Sequence, residues 1–220
     1  MKQVLITGGS RGIGHSTVKY LKSQKYKVIS PTRQELDLND LKSVKNFIKS
    51  NKNLKLYALI NNAGVNYPQW IEKIEDRNLS ETINVNLISP ILLCRGFVPN
   101  LKKNELAHIV NVSSMFGVIS RGKQSLYSSS KFGLIGLTKA LAIELARYNI
   151  LVNCVSPGFI ETALTLRNSP QKNSILANEV PLKRFAKPLE VAMLIEFLIS
   201  VHNTYITGEN IVIDGGYSIK

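Results

Sequence analysis

Val4-Leu5-Ile6-Thr7-Gly8-Gly9-Ser10-Arg11-Gly12-Ile13-Gly14 lies at the head of the chain, and its reading decides the fold. A strand-like apolar triplet runs straight into a turn with glycines at 8, 12 and 14. A helical pattern at Ile13, Val18 and Leu21 follows to about Gln24. Glycine in such a turn lets the backbone bend tightly and approach a pyrophosphate with no Cβ in the way, and helix N-terminal amides are offered to the anion. The spacing is Gly-x3-Gly-x-Gly, not Gly-x-Gly-x2-Gly, so the strand-then-helix context carries the dinucleotide reading.

Outward from that turn, strand and helix signatures alternate. Lys27-Val28-Ile29 reads as a second strand, and Leu41, Val44, Phe47 and Ile48 mark a helix. Leu56-Tyr57-Ala58-Leu59-Ile60 is a buried strand ending in Asn61-Asn62-Ala63-Gly64. A long apolar helix is expected from about Leu79 to Phe97, then a strand at His108–Val112 and a helix carrying Tyr127 and Lys131. Next come a strand at Leu151–Val155, a polar loop, a helix from about Leu189 to Ile199 and a last strand, Ile211-Val212-Ile213. Continuous apolar strands separated by helices describe a parallel sheet covered on both faces, the α/β doubly wound (Rossmann) arrangement. No repeat, linker or low-complexity segment interrupts it, so residues 1–220 are read as one dinucleotide-binding and catalytic domain.

Composition permits this. The chain has 220 residues, 44% of them hydrophobic, enough for a substantial core. Met1-Lys2-Gln3 enters the first strand at once, leaving no room for a secretory signal, and no apolar stretch approaches the roughly 20 residues that cross a bilayer. Cys94 and Cys154 each lie in an apolar run and are read as buried thiols. A cytoplasmic protein with no membrane partner is expected. Lys and Arg total 28 against 15 Asp and Glu, a formal charge of +13 that attracts polyanions. The lysines are scattered over helix faces (Lys19, Lys22, Lys25, Lys42, Lys45, Lys49) and not gathered into a run, so no nucleic-acid partner is expected. His15, His108 and His202 have no carboxylate or cysteine spaced with them for a metal, and none is expected.

The cofactor follows from the second strand. NAD-binding folds place an acid about 20 residues beyond the glycines to take the ribose hydroxyls. Here the strand ends in Ser30-Pro31-Thr32-Arg33, without Asp or Glu. Arg11 and Arg33 can surround a 2′-phosphate with charge-assisted contacts, which favours NADP(H), with NAD(H) as the alternative.

The chemistry follows from Tyr127-Ser-Ser-Ser-Lys131 and the pair Ser113-Ser114. Reducing a ketone needs a hydride donor at carbon and a proton donor at oxygen. A phenol supplies the proton, but its ordinary pKa near 10 is high for reversible chemistry near neutrality. A lysine at i+4 shares the tyrosine's helical face and stabilises the phenolate. Ser114 ends the strand His108–Val112, at the carboxyl edge where such sheets bind ligands, and its hydroxyl can hold the substrate oxygen.

With these residues assembled, the chain resembles a single-domain short-chain dehydrogenase/reductase nearly end to end, from Thr7–Gly14 to Ile206-Thr-Gly-Glu-Asn-Ile-Val-Ile-Asp-Gly-Gly216. The pattern is similar to that of the 3-oxoacyl-acyl-carrier-protein reductases. The resemblance implies Asn86, Ser114, Tyr127 and Lys131 as catalytic residues. Tyr127 would be the acid/base, Ser114 would orient the carbonyl, Lys131 would bind the nicotinamide ribose and lower the phenol's pKa, and Asn86 would hold a relay water. It implies Gly8, Ser10, Arg11, Gly12, Ile13 and Gly14 at the cofactor. Arg33, Asn62, Ala63 and Gly64 join them there, with Asp37-Leu38 at the adenine and Pro157, Gly158, Ile160 and Thr162 at the carboxamide and phosphates.

Two departures from the family pattern matter. A helix and a strand usually present between strand two and Asp37 are replaced by Ser30–Leu36, so the adenine side should be more open. Glu105 stands nine positions before Ser114, where the acyl-carrier reductases have a basic residue for their acidic partner. The substrate is thus read as a small-molecule or acyl-thioester carbonyl, with a keto sugar or small keto acid as alternatives, or less favourably a non-catalytic NADP-binding regulator. Met115, Phe116, Arg121, Leu126, Phe159, Leu164 and Leu166 are expected to line the pocket, with a mobile loop from Phe159 to Ala186. Ile88, Ile91, Leu92, Leu134, Leu137, Leu141 and Leu145 exceed what one buried helix face needs, which implies a homo-oligomer, a dimer or tetramer.

Overall fold

The computed structural model describes residues 1–162, 165 and 169–220. Among them, β1 (Gln3–Ile6), β2 (Lys27–Ile29), β3 (Leu56–Asn61), β4 (Ala107–Val112), β5 (Ile150–Pro157) and β6 (Asn210–Ile213) form one wholly parallel sheet in the order β2-β1-β3-β4-β5-β6. Every residue of β3, β4 and β5 is buried, so these strands read as mainly apolar runs, with Asn61, His108, Asn111, Asn153 and Ser156 as buried polar residues among them. The chain runs outward one way to β1 and β2, then returns to build β3 to β6, so the order reverses between β1 and β3. A crevice opens there at the carboxyl ends of the strands.

Among the described residues there are seven α-helices: α1 (Gly12–Ser23), α2 (Leu41–Ser50), α3 (Asp76–Ile83), α4 (Ser89–Leu101), α5 (Ser125–Leu145), α6 (Pro170–Glu179) and α7 (Pro188–Ile199). One core, around Leu59, Phe97, Ile109 and Val152, lies under α2, α4 and α5. The other, around Ile6, Leu21, Val110 and Ile195, lies under α1 and α7. Cys94 and Cys154 are buried free thiols, pushed by burial to about 12 and about 11 respectively.

Three expectations need correction. The single helix expected over Leu79–Phe97 is α3 and α4 joined by a π-helical segment, Asn84–Ile88. The run Asp76–Leu101 is long and apolar enough by composition to cross a membrane, contrary to the sequence reading, but half of its apolar window is buried inside the fold. Leu92, Leu134 and Leu145, counted as surplus apolar surface, are core residues at most 9% exposed. The polar loop after β5 also contains α6, whose start Ser169-Pro170 carries a recognisable signal. The serine hydroxyl accepts from Lys172 N–H at 3.2 Å and proline takes the first helical position. The shortening after strand two is borne out, since β2 is an edge strand and residues 30–40 between it and α2 hold no helix or strand.

Candidate active site

The glycine turn brings the amino end of α1 to the crevice. Gly8 and Gly12 take φ of +70° and +56°, a region other L-residues rarely adopt. A Cβ on Gly14 would lie 2.1 Å from the Gly8 carbonyl oxygen and 2.5 Å from Asn62 Nδ2, so only glycine lets this turn close. Asn62 fastens it: its amide donates to the carbonyls of Thr7 (2.9 Å) and Gly8 (3.2 Å), while Thr7 Oγ1 accepts from the N–H groups of Asn62 and Ala63, both at 3.1 Å. Arg11, at the N-cap, has no side-chain capping bond, and no acid stands in the first turn of α1. The amides of that turn, with Ser10 and Ile13 beside them, therefore suit a phosphate. Thr162 faces them from the other wall, its methyl 3.3 Å from where a Gly12 Cβ would stand. The residues present fit a dinucleotide.

On the adenosine side, the sequence treats Arg33 and Asp37 as separate contacts, whereas the structure pairs them at 3.2 Å. The other Asp37 oxygen accepts from Asn39 N–H at 2.9 Å. The Leu38 carbonyl accepts from Ser89 Oγ at 2.6 Å, which holds this turn against α4. Arg33 remains exposed and can turn from Asp37 to a phosphate.

The four catalytic candidates converge at the carboxyl ends of β3 and β4. Asn86, fully buried, grips the segment after Gly64. Its Oδ1 accepts from Val65 N–H, and its Nδ2 donates to the Val65 carbonyl, both at 2.9 Å, and to Ser130 Oγ at 3.0 Å. It sits inside the π-helical segment, and Pro90 lacks the N–H that would normally bond to the Asn86 carbonyl one turn earlier. Lys131 Nζ donates to the Val112 carbonyl at 2.8 Å, lies 5.7 Å from the centre of the Tyr127 ring, and would be 3.3 Å from a Cβ on Gly64. Ser113 and Ser114 divide the work. Ser113 Oγ donates to the Lys131 carbonyl at 3.0 Å and so anchors α5, whereas Ser114 Oγ accepts from Phe116 N–H at 3.1 Å and faces the phenol.

Burial dominates the electrostatics. It pulls Lys131 down to about 8, with nearby Cys154 opposing. It pushes the Tyr127 phenol up, with the Ser114 hydroxyl drawing it back. The lowering of the phenol expected from Lys131 is thus not a property of the protein alone, because the ammonium is engaged with a carbonyl.

On the substrate side, Met115, Phe116 and Leu126 are buried walls, and Leu164 and Leu166 lie outside the described residues. Phe159 packs on Phe185 and Tyr217, with ring centres 5.4 and 5.3 Å apart, just beyond Pro157-Gly158. Tyr217 and Phe185 went unnoticed in the sequence, where nothing marks them apart from other aromatics. Ile160 is buried and its carbonyl accepts from Thr165 Oγ1 at 2.8 Å. Glu105 precedes β4 at its amino end, with the whole strand, six residues or roughly 20 Å, between it and Ser114.

The family described as enoyl-(acyl carrier protein) reductase matches residues 29–218. The 3-oxoacyl-[acyl-carrier-protein] reductase of Thermotoga maritima is 34% identical, over 99% of this chain and 98% of its own. Among solved structures, 4-hydroxyisoleucine dehydrogenase complexed with NADH is 30% identical, with a TM-score of 0.91 and 100% of both chains covered. ElxO with NADP bound is 28% identical, with a TM-score of 0.91, covering 100% of this chain and 99% of its own. This chain belongs to the short-chain dehydrogenase/reductase family, and it is an oxidoreductase.

Proposed function

We propose that the protein interconverts a ketone and a secondary alcohol with NADP(H), acting on a 3-oxoacyl type of substrate. The observation that carries this is the convergence of Ser114, Tyr127, Lys131 and Asn86 beside an uncapped helix N-terminus built for a phosphate.

The cofactor, bound along the crevice, supplies or takes the hydride. Arg11, Ser10, Ile13 and Thr162 would hold its phosphates; Asn62, Ala63 and Gly64 the adenosine side; and Pro157, Gly158 and Ile160 the carboxamide. The protein does the rest. Ser114 and the phenol of Tyr127 hold the carbonyl oxygen, and the phenol gives up its proton as charge develops there. Lys131, now on the Val112 carbonyl, would bind the cofactor's ribose, and its ammonium near the phenolate would lower the cost of that transfer. Asn86 fixes Val65 and Ser130, and so the distance between the floor of the site and α5.

The absence of an acid at the end of β2 and the exposure of Arg11 and Arg33 support NADP(H), with NAD(H) as the weaker alternative. The likeness to 3-oxoacyl-[acyl-carrier-protein] reductases supports a 3-oxoacyl compound. A small keto acid or keto sugar is the second reading, supported by the Arg121 guanidinium over the Phe116 ring on the turn capped by Ser114. We also place the protein in the cytoplasm as a homo-oligomer, a tetramer by family likeness.

The test is oxidation of NADPH and of NADH over acetoacetyl thioesters, keto acids and keto sugars. NADPH is expected to bind at least tenfold more tightly, about 1.4 kcal/mol. Equal midpoints for the two cofactors would reject the arginine argument, and silence on every carbonyl would reject the reductase.

A further inference from the structure

Arg121 and Gln124 stand at the mouth of the site without a part in the hydride step. Gln124 N–H bonds to the Arg121 carbonyl at 3.2 Å, closing the turn that leads into α5, three residues before Tyr127. Gln124 is the N-cap of α5, three residues before Tyr127 and seven before Lys131, so amide, phenol and ammonium follow one another from the amino end of the helix. Lys131 occupies the cofactor end, and the amide therefore lies beyond the reacting carbonyl on the substrate side.

Gln124 is 3% exposed, and its Oε1 has no hydrogen-bond partner among the described residues. A buried amide left unpaired is destabilising, a cost that a ligand can relieve. It can offer either atom by turning 180°. Arg121 is held from two sides. Its guanidinium lies 4.9 Å from the centre of the Phe116 ring, on the turn capped by Ser114. On the other side it meets the hydroxyl of Tyr217, whose ring packs on Phe159 at the end of β5. It is in none of the ion pairs among the described residues, and the Tyr217 hydroxyl that it meets donates to Glu179 at 3.2 Å.

We propose that Arg121 and Gln124 together read a carboxylate on the substrate, so that the protein prefers a 3-oxo acid to its neutral ester or thioester. A planar guanidinium beside an amide N–H matches the two oxygens of a carboxylate. One helical turn separates Gln124 from Tyr127, about 5–6 Å between neighbours, so a carboxylate a carbon or two from the ketone reaches the corner while the phenol holds the ketone oxygen. The proposal rests on the reductase reading and selects within it.

The experiment compares kcat/KM for acetoacetate, methyl acetoacetate and a neutral acetoacetyl thioester with NADPH, in the wild type and in Arg121→Gln and Arg121→Lys. The wild type is expected to favour acetoacetate over the ester at least tenfold. Arg121→Gln should lower that ratio at least tenfold, chiefly through the KM for acetoacetate, and Arg121→Lys should restore part of it. Calorimetric titration of malonate into the NADPH-saturated protein runs alongside and needs no turnover. Binding that disappears in Arg121→Gln supports the corner even if no carbonyl is reduced, an outcome that would sink only the reductase reading. A wild type that prefers the ester or thioester, or malonate binding that is absent or insensitive to Arg121→Gln, overturns the proposal.

Discussion

At the scale of single residues, the site depends on two groups that burial pushes in opposite directions. Tyr127 is held protonated and Lys131 is made to release its proton early, at about 8. Tyr127→Phe keeps the ring and removes only the proton, so turnover should fall about a thousandfold while NADPH affinity, read by titration, hardly moves. Retention of a tenth of the rate would end the phenol's role as acid. The lysine sets the pH dependence. Its proton affinity is depressed, so the ammonium is present below about 8 and lost as the pH rises through that value. The phenol, pushed up, keeps its proton over the same range. The kcat/KM for NADPH should therefore fall above about pH 8, and Lys131→Arg, which does not titrate there, should flatten that limb at a lower rate. An unchanged inflection in Lys131→Arg would assign the titration to another group.

At the scale of elements, the glycine turn shows what a local pattern can specify. Gly14→Ala would drive a methyl into the Gly8 carbonyl and the Asn62 amide, both parts of the hydrogen-bonded frame of the turn. The turn must open, with an expected loss of about 3 kcal/mol in urea unfolding together with loss of NADPH binding. An unfolding midpoint within error of the wild type would show that the frame yields. This turn was legible because backbone need dictates residue type at each position. Tyr127 and Lys131 were legible because helical spacing is a fixed geometry, and the strands because burial on both faces demands apolar runs. The π-helical segment around Asn86 was not, since a five-residue widening of a helix leaves the apolar periodicity on either side nearly intact. Its local cue is Pro90, a missing donor placed one turn after the asparagine. The Arg33–Asp37 pair is not legible either, because the contact between them depends on the turn that replaces the missing helix and strand. Buried Leu92, Leu134 and Leu145 were misjudged because α4 and α5 bury more than one face within the subunit itself.

At the scale of the whole molecule, what remains apolar and exposed is patterned. On α5, Phe132 is 48% and Ile143 81% exposed, eleven residues apart and so within about 20° of one another around the helix. Between them lies Gly136, where an added Cβ would meet nothing within 4 Å. A large residue, a flat open site and a second large residue along one line form the outline of a helix that packs on another helix. Half-buried Ile88, Ile91, Leu137 and Leu141 widen the strip across α4 and α5. On the far side of the sheet, Leu189, Met193 and Phe197 of α7, each at least 40% exposed, make a second apolar face. The expectation is an assembly in which α4 and α5 of two subunits pack together and α7 with β6 supplies the second contact. Light scattering at micromolar concentration should give a mass at least twice 24.5 kDa. Phe132→Glu with Ile143→Glu should lower it, because two carboxylates facing their own copies must be buried unpaired or the contact must open. Both substitutions are at exposed positions, so folding, followed by circular dichroism, should survive them. A wild-type mass of 24.5 kDa would mean that the strip on α5 meets no second subunit.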